Sequence, residues 1–189
     1  MKFPKIKISL SVPICMLAFG LIYGTTYLTA VFSATLLHEL GHVAAIYMSK
    51  GSISEFELIP FGAVIRKEST SISYKNDLVI SFAGPFLNIV SFGVCAAIGR
   101  LGYFAAASLI LATLNLIPAE PLDGYSALKA LTLIFLQPEK AQRICTCVSL
   151  SVLCVLWIGA VYLTVYAGLN VYLLIMLSAL IFGAVTRIK

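Results

Sequence analysis

His38-Glu39-Leu40-Gly41-His42, set inside the apolar run from Tyr27 to Met48, is the stretch whose reading decides the rest of the chain. The 189 residues contain two histidines, and both are here. On a helix, residues four apart lie about 40° apart around the axis, so the two imidazoles point the same way and can grip one metal ion. Glu39 sits beside them. This is the H-E-x-x-H pattern, in which two imidazoles bind zinc and the glutamate serves as general base toward water. The plainer reading, two histidines that merely pack on a helix, fares badly here. Ionisable groups in a membrane-length apolar segment are costly unless they have partners, water or a metal, which makes such a cluster functional by default.

Composition places the chain in a bilayer: hydrophobic residues make up 60%, charged residues 11%, and the mean hydropathy is +1.01. The net charge of +5 does not point to nucleic acid, because the Lys and Arg are scattered between apolar runs and form no long basic block. The five cysteines, Cys15, Cys95, Cys145, Cys147 and Cys154, lie in or beside apolar segments without C-x-x-C spacing and read as small packing residues. The basic lead Lys2, Lys5 and Lys7 resembles a signal peptide, but no small-x-small cleavage site follows, so the first apolar run reads as a retained anchor.

A spanning helix needs roughly 20 apolar residues, and about six such segments can be placed. They run from Ile8 to Tyr23, Tyr27 to Met48, Leu78 to Ile98, Tyr103 to Ile117, Ile144 to Val165 and Asn170 to Val185. The expected fold is therefore an all-α polytopic membrane protein, one domain over residues 1–189, with a short membrane-associated β-hairpin or loop after the second helix. That hairpin is expected within Lys50 to Asn76, where Ile53, Phe56, Leu58, Ile59, Phe61, Val64 and Ile65 interleave with Glu55, Glu57, Pro60 and Gly62. Its outer edge could take an extended substrate by strand addition; the alternative is a loop resting on lipid headgroups.

With a cytosolic N-terminus, every Lys and Arg except Arg100 falls on the cytosolic side, which orients both termini inward. His38 and His42 then lie in the cytosolic half of the second helix. Pro118 and Pro121 should break the fourth span and leave an irregular stretch, from which Asp123 emerges on the same side.

Zinc held by two histidines normally needs a third protein ligand and an open position. Glu39 is reserved for base chemistry, and Asp77 stands at a helix start where a favourable N-terminal charge explains it. Glu120 and Asp123 remain. Asp123 is preferred, because Gly124 beside it permits close backbone approach; Glu120 is the runner-up ligand.

These motifs resemble the site-2 protease family of intramembrane zinc metalloproteases (M50 type). His38-Glu39-Leu40-Gly41-His42 matches its first motif, and Asn115-Leu116-Ile117-Pro118 followed by Leu122-Asp123-Gly124 its second. Pro60-Phe61-Gly62 and Ala83-Gly84-Pro85 with Asn88 also fit. The compact plan and the Leu58 to Gly62 stretch are most similar to the sporulation branch, which processes a membrane-tethered sigma-factor precursor. The resemblance implies one Zn2+ per chain on His38, His42 and Asp123, with Glu39 activating water and Asn115 steadying substrate or the developing oxyanion. For Asn115 an interhelical hydrogen bond is the alternative. The implied partners are the lipid bilayer, a membrane-tethered protein substrate and a membrane-protein regulator, with no nucleic acid. Tyr125 and Ser126 depart from the branch, which often continues with Gly and a basic residue, and no PDZ or C-terminal nucleotide-binding domain is expected in this chain. A metal transporter or a catalytically silent scaffold is the competing class; a transporter would want a polar path across the whole membrane, which the third, fifth and sixth spans do not offer.

Overall fold

A single glycine separates the first two helices, which the apolar pattern alone nearly runs together. Gly24, with φ of 87°, closes α1 (Ser11–Tyr23) and opens α2 (Thr25–Met48). That backbone conformation is open to glycine at little cost. The computed structural model describes residues 5–59, 62–67, 73–167, 174–175, 177–178 and 181–183. These fall into two compact units, Met1–Leu114 and Asn115–Lys189.

The first unit opens with β1 (Lys5–Ile8) and continues through α1 and α2 to β2 (Ile53–Ile59), β3 (Gly62–Lys67), α3 (Tyr74–Ala97) and most of α4 (Tyr103–Asn115). The three strands form one sheet in the order β1-β2-β3, with β2 and β3 antiparallel. β1 runs parallel to β2, and its register sets Lys5 opposite Glu55 and Lys7 opposite Glu57. Opposite charges alternate at the same period on the two strands, so they share a face, and Lys7 forms an ion pair with Glu55. Lys5 and Lys7 of the basic lead thus lie in a strand, and the helix expected from Ile8 begins at Ser11. Pro60 and Phe61 lie outside the described residues.

The seam between α2 and α3 is built from small residues. On α2 the buried positions include Ala30, Ala34, His38, Gly41, His42 and Ala45; on α3 they are Ile80, Ser81, Gly84, Pro85 and Asn88. Both series recur at intervals of three and four, one face of each helix. Below the seam, Ala45, Ile46, Ile53 and Ile80 form a buried cluster against which Val43, Ile65 and Ala83 pack, fastening the sheet to the ends of the two helices. The start of α3 is capped by Ser73, whose hydroxyl oxygen accepts from the Asn76 amide at 3.3 Å. Asp77 lies in that first turn, the place a negative charge favours the helix dipole.

The second unit contains Asn115, an irregular stretch through residue 122, α5 (Asp123–Phe135) and α6 (Pro138–Ala167). Ala119, Leu153, Ala160 and Leu177 make its buried cluster. α5 was not among the expected helices: its polar beginning and Lys129 hide an amphipathic pattern with buried Tyr125, Ala127 and Ala130.

Among the described residues, α2, α3 and residues Pro138–Tyr166 of α6 are long and apolar enough to cross a bilayer, while α1 and α4 are shorter apolar helices. Large apolar side chains such as Val79, Phe86, Val94, Val155 and Ile158 remain exposed along the long helices, as lipid-facing surfaces require. The chain is an integral membrane protein, mostly helical, with a three-stranded sheet. The segment expected as a sixth span, Asn170 to Val185, lies largely outside the described residues.

Candidate metal centre

The helical pitch of α2 brings His38 and His42 together without help from elsewhere. Their Nε2 atoms are 3.1 Å apart and their rings meet edge to face, with centroids 4.8 Å apart. Both side chains are buried, and Glu39 between them in sequence is buried as well.

What orients the rings is α3. His42 Nδ1 lies 2.8 Å from the carbonyl oxygen of Ile80. A carbonyl oxygen only accepts, so Nδ1 carries the hydrogen and the lone pair of the neutral ring resides on Nε2. That is the arrangement of a metal-ligating histidine whose other nitrogen is anchored to the backbone. On the opposite side, the Asn88 amide meets His38 Nδ1 at 3.3 Å.

Gly84 stands between these two anchors. A Cβ on Gly84 would come within 2.8 Å of His38 Nε2 and closer still to His42 Nε2. The absence of a side chain is therefore a condition of the histidine pair, and the space in front of both Nε2 atoms is kept by backbone. Gly41 makes the same close approach in reverse, since a Cβ there would lie 2.6 Å from the Ala83 carbonyl oxygen. The sequence motif Ala83-Gly84-Pro85 is thus the surface on which the histidines rest. Pro85 has no amide hydrogen to give Ser81, and is buried in the helix all the same.

This geometry fits a zinc ion. Two nitrogen ligands at about 2.05 Å from one tetrahedral ion stand about 3.3 Å apart, close to the separation of the two Nε2 atoms. With the lone pair of His42 on Nε2, a gap this short is filled either by a hydrogen carried on His38 Nε2 or by a cation that both rings ligate.

In the second unit, Asp123 is the first residue of α5 and is half-buried. Gly124 follows it because nothing larger fits: a Cβ would lie 2.5 Å from the Ile117 carbonyl oxygen, with that of Leu116 nearer still. The irregular stretch therefore folds back over the start of α5. It is held from the other side by the backbone N–H of Glu120, which donates to the Ser149 hydroxyl at 2.9 Å, and by Ala119, fully buried. The peptide bond between Glu120 and Pro121 is cis. Asn115 and Glu120 are both half-buried. Tyr125, the first departure from the branch pattern, is buried, and its hydroxyl accepts from Gln142 Nε2 of α6 at 3.1 Å.

Two features of the site were not singled out by chemistry in the sequence: the Ile80 carbonyl and the Asn88 amide. The signal that finds them is spacing. Ile80, Gly84 and Asn88 recur every four residues, one stripe of α3, so the glycine that admits the histidines is flanked by the two groups that hold them.

Residues 26–103 match the sequence profile of Peptidase family M50. The chain is similar to a candidate zinc metalloprotease of Synechocystis, with 28% identity over 112 residues, and to a zinc metalloprotease of Methanocaldococcus jannaschii, with 32% identity over 114 residues. Each alignment takes in 53% of this chain but only 30% and 32% of those longer proteins. The solved structure of the site-2 protease from Methanocaldococcus jannaschii superposes with a TM-score of 0.70 at 21% identity, covering 100% of this chain and 94% of that one. The profile match to Peptidase family M50 spans the paired histidines and the α3 stripe that orients them, and the chain shares its fold with that solved site-2 protease.

Proposed function

We propose that this protein is a zinc-dependent intramembrane endopeptidase, cutting a membrane-tethered protein in or near its transmembrane segment on the cytosolic side. The observation that carries the reading is the pair of Nε2 atoms 3.1 Å apart, one of them with its lone pair committed by the Ile80 carbonyl, both facing the space kept by Gly84. His38, His42 and Asp123 are the residues that would hold the ion, a donor set of the kind found in open catalytic zinc sites. When bound, zinc supplies Lewis acidity toward water and toward the scissile carbonyl oxygen.

The chain's own residues do the rest. Glu39, buried on the same turn, takes a proton from the attacking water on a carboxylate oxygen and returns it to the departing amide nitrogen. Asn115 offers an amide N–H to the oxygen on which charge develops. A helical amide is covered by its own hydrogen bonds, so the substrate must be unwound locally. Among the described residues β3 pairs with β2 alone, and its outer edge is the place for an extended substrate segment to recover those bonds.

The distribution of Lys and Arg supports a multi-pass topology with both termini in the cytosol. The similarity to the sporulation branch favours a sigma-factor precursor as substrate, under the control of a membrane-protein regulator. The test is Glu39→Gln in protein reconstituted with a membrane-tethered substrate. The variant is expected to retain zinc and lose cleavage. Undiminished cleavage would remove Glu39 from the role of base.

A further inference from the structure

Asn88 is fully buried on α3, one turn beyond Gly84, and its amide faces His38 Nδ1 at 3.3 Å. With Nδ2 turned toward the ring, Oδ1 is left buried with no hydrogen-bond partner among the described residues. The two ends of a carboxamide have the same shape, and half a turn about its bond to the chain exchanges them. The exchanged orientation sets Oδ1 against His38 Nδ1, where it accepts the ring hydrogen.

The two orientations have opposite consequences for the metal. An Nδ2 donor would place the lone pair of the neutral ring on His38 Nδ1 and the hydrogen on Nε2, the nitrogen that faces His42, so the ring could not ligate there. An Oδ1 acceptor places the hydrogen on Nδ1 and frees the Nε2 lone pair. The Ile80 carbonyl already imposes that tautomer on His42. Ile80 and Asn88 lie one helical turn to either side of Gly84, so a single stripe of α3 offers an acceptor, a gap and a second acceptor.

We propose that Asn88 is a positioning residue for the metal, its Oδ1 accepting the Nδ1–H of His38 and so fixing the tautomer in which Nε2 binds zinc. This role rests on the zinc reading of the histidine pair. Groups of this kind behind a ligand change metal affinity by roughly 10-fold to 100-fold when removed.

The experiment measures zinc affinity of the full chain in detergent by competition with a chromophoric chelator, for wild type, Asn88→Ala and Asn88→Asp. Alanine, with no acceptor, is expected to weaken zinc about 10-fold to 100-fold. Aspartate, which only accepts, is expected to bind zinc at least as tightly as wild type. If aspartate weakens zinc as much as alanine does, or alanine binds as wild type does, the role is overturned. A wild type that binds no zinc would overturn the metal reading itself, and the role with it, a result distinct from either. Nitrogen-15 NMR of the histidine rings in unmutated protein gives an answer independent of whether the variants fold, because the chain has 2 histidines to assign. His38 Nδ1 is expected to carry hydrogen with and without zinc; hydrogen on Nε2 alone in the metal-free protein would overturn the proposal.

Discussion

His38 and His42 meet through their Nε2 atoms at 3.1 Å, over a glycine of the neighbouring helix that could not be alanine without displacing them. The helix that carries the two histidines determines that they are adjacent. The helix that does not carry them determines which way they face.

Gly84→Ala is accordingly expected to cost zinc before it costs fold. The added methyl points at both ring nitrogens, and the rings can yield only by leaving the positions set by Ile80 and Asn88. Zinc content per purified chain should fall by about 10-fold or more, in line with the loss of orientation around a ligand. Full zinc loading in the variant would show that the rings have another resting place.

Gly41→Ala tests the same seam for packing alone. Its Cβ would run into the backbone of Ala83, which moves less readily than a side chain, and overpacking of this kind costs about 1–3 kcal/mol. Gly93→Ala on α3 is the control, since nothing lies within 4 Å of its Cβ position. Thermal unfolding in detergent should show a lower midpoint for Gly41→Ala and an unchanged or raised one for Gly93→Ala; equal midpoints would remove the close contact as a source of stability.

Asp123, the proposed third ligand, can be separated from its runner-up Glu120 by metal content. Asp123→Ala should lower bound zinc, whereas Glu120→Ala should leave it near the wild-type level, because the half-buried loop position of Glu120 is held through its backbone bond to Ser149. The opposite pattern would exchange the two carboxylates.

Tyr125→Phe addresses the departure after the Asp-Gly pair. Losing the hydroxyl removes one hydrogen bond to Gln142, and such bonds contribute about 0.5–1.5 kcal/mol. A small drop in unfolding midpoint with cleavage retained is expected. Loss of cleavage without loss of stability would instead place the tyrosine against the substrate.

What was legible in the sequence is what depends on near neighbours. The four-residue interval that puts His38 and His42 on one face follows from helical pitch, and a glutamate in an apolar run has few reasons to be there beyond chemistry. The start of α3, with Ser73 capping and Asp77 in the first turn, is local in the same sense. The strand at Lys5–Ile8 was not legible, because its partner is β2, some fifty residues along, and the alternation of lysines gains meaning only opposite Glu55 and Glu57. α5 escaped because the prolines before it read as a break and its apolar face is narrow.

The opening motif therefore pointed by itself to the proposed histidine ligands, the proposed base and the membrane setting. The tautomer of His42 and the space before both rings were decided by tertiary structure, because a ring nitrogen takes its hydrogen according to what stands beside it. Here that is a carbonyl and an amide on a helix about forty to fifty residues further along the chain.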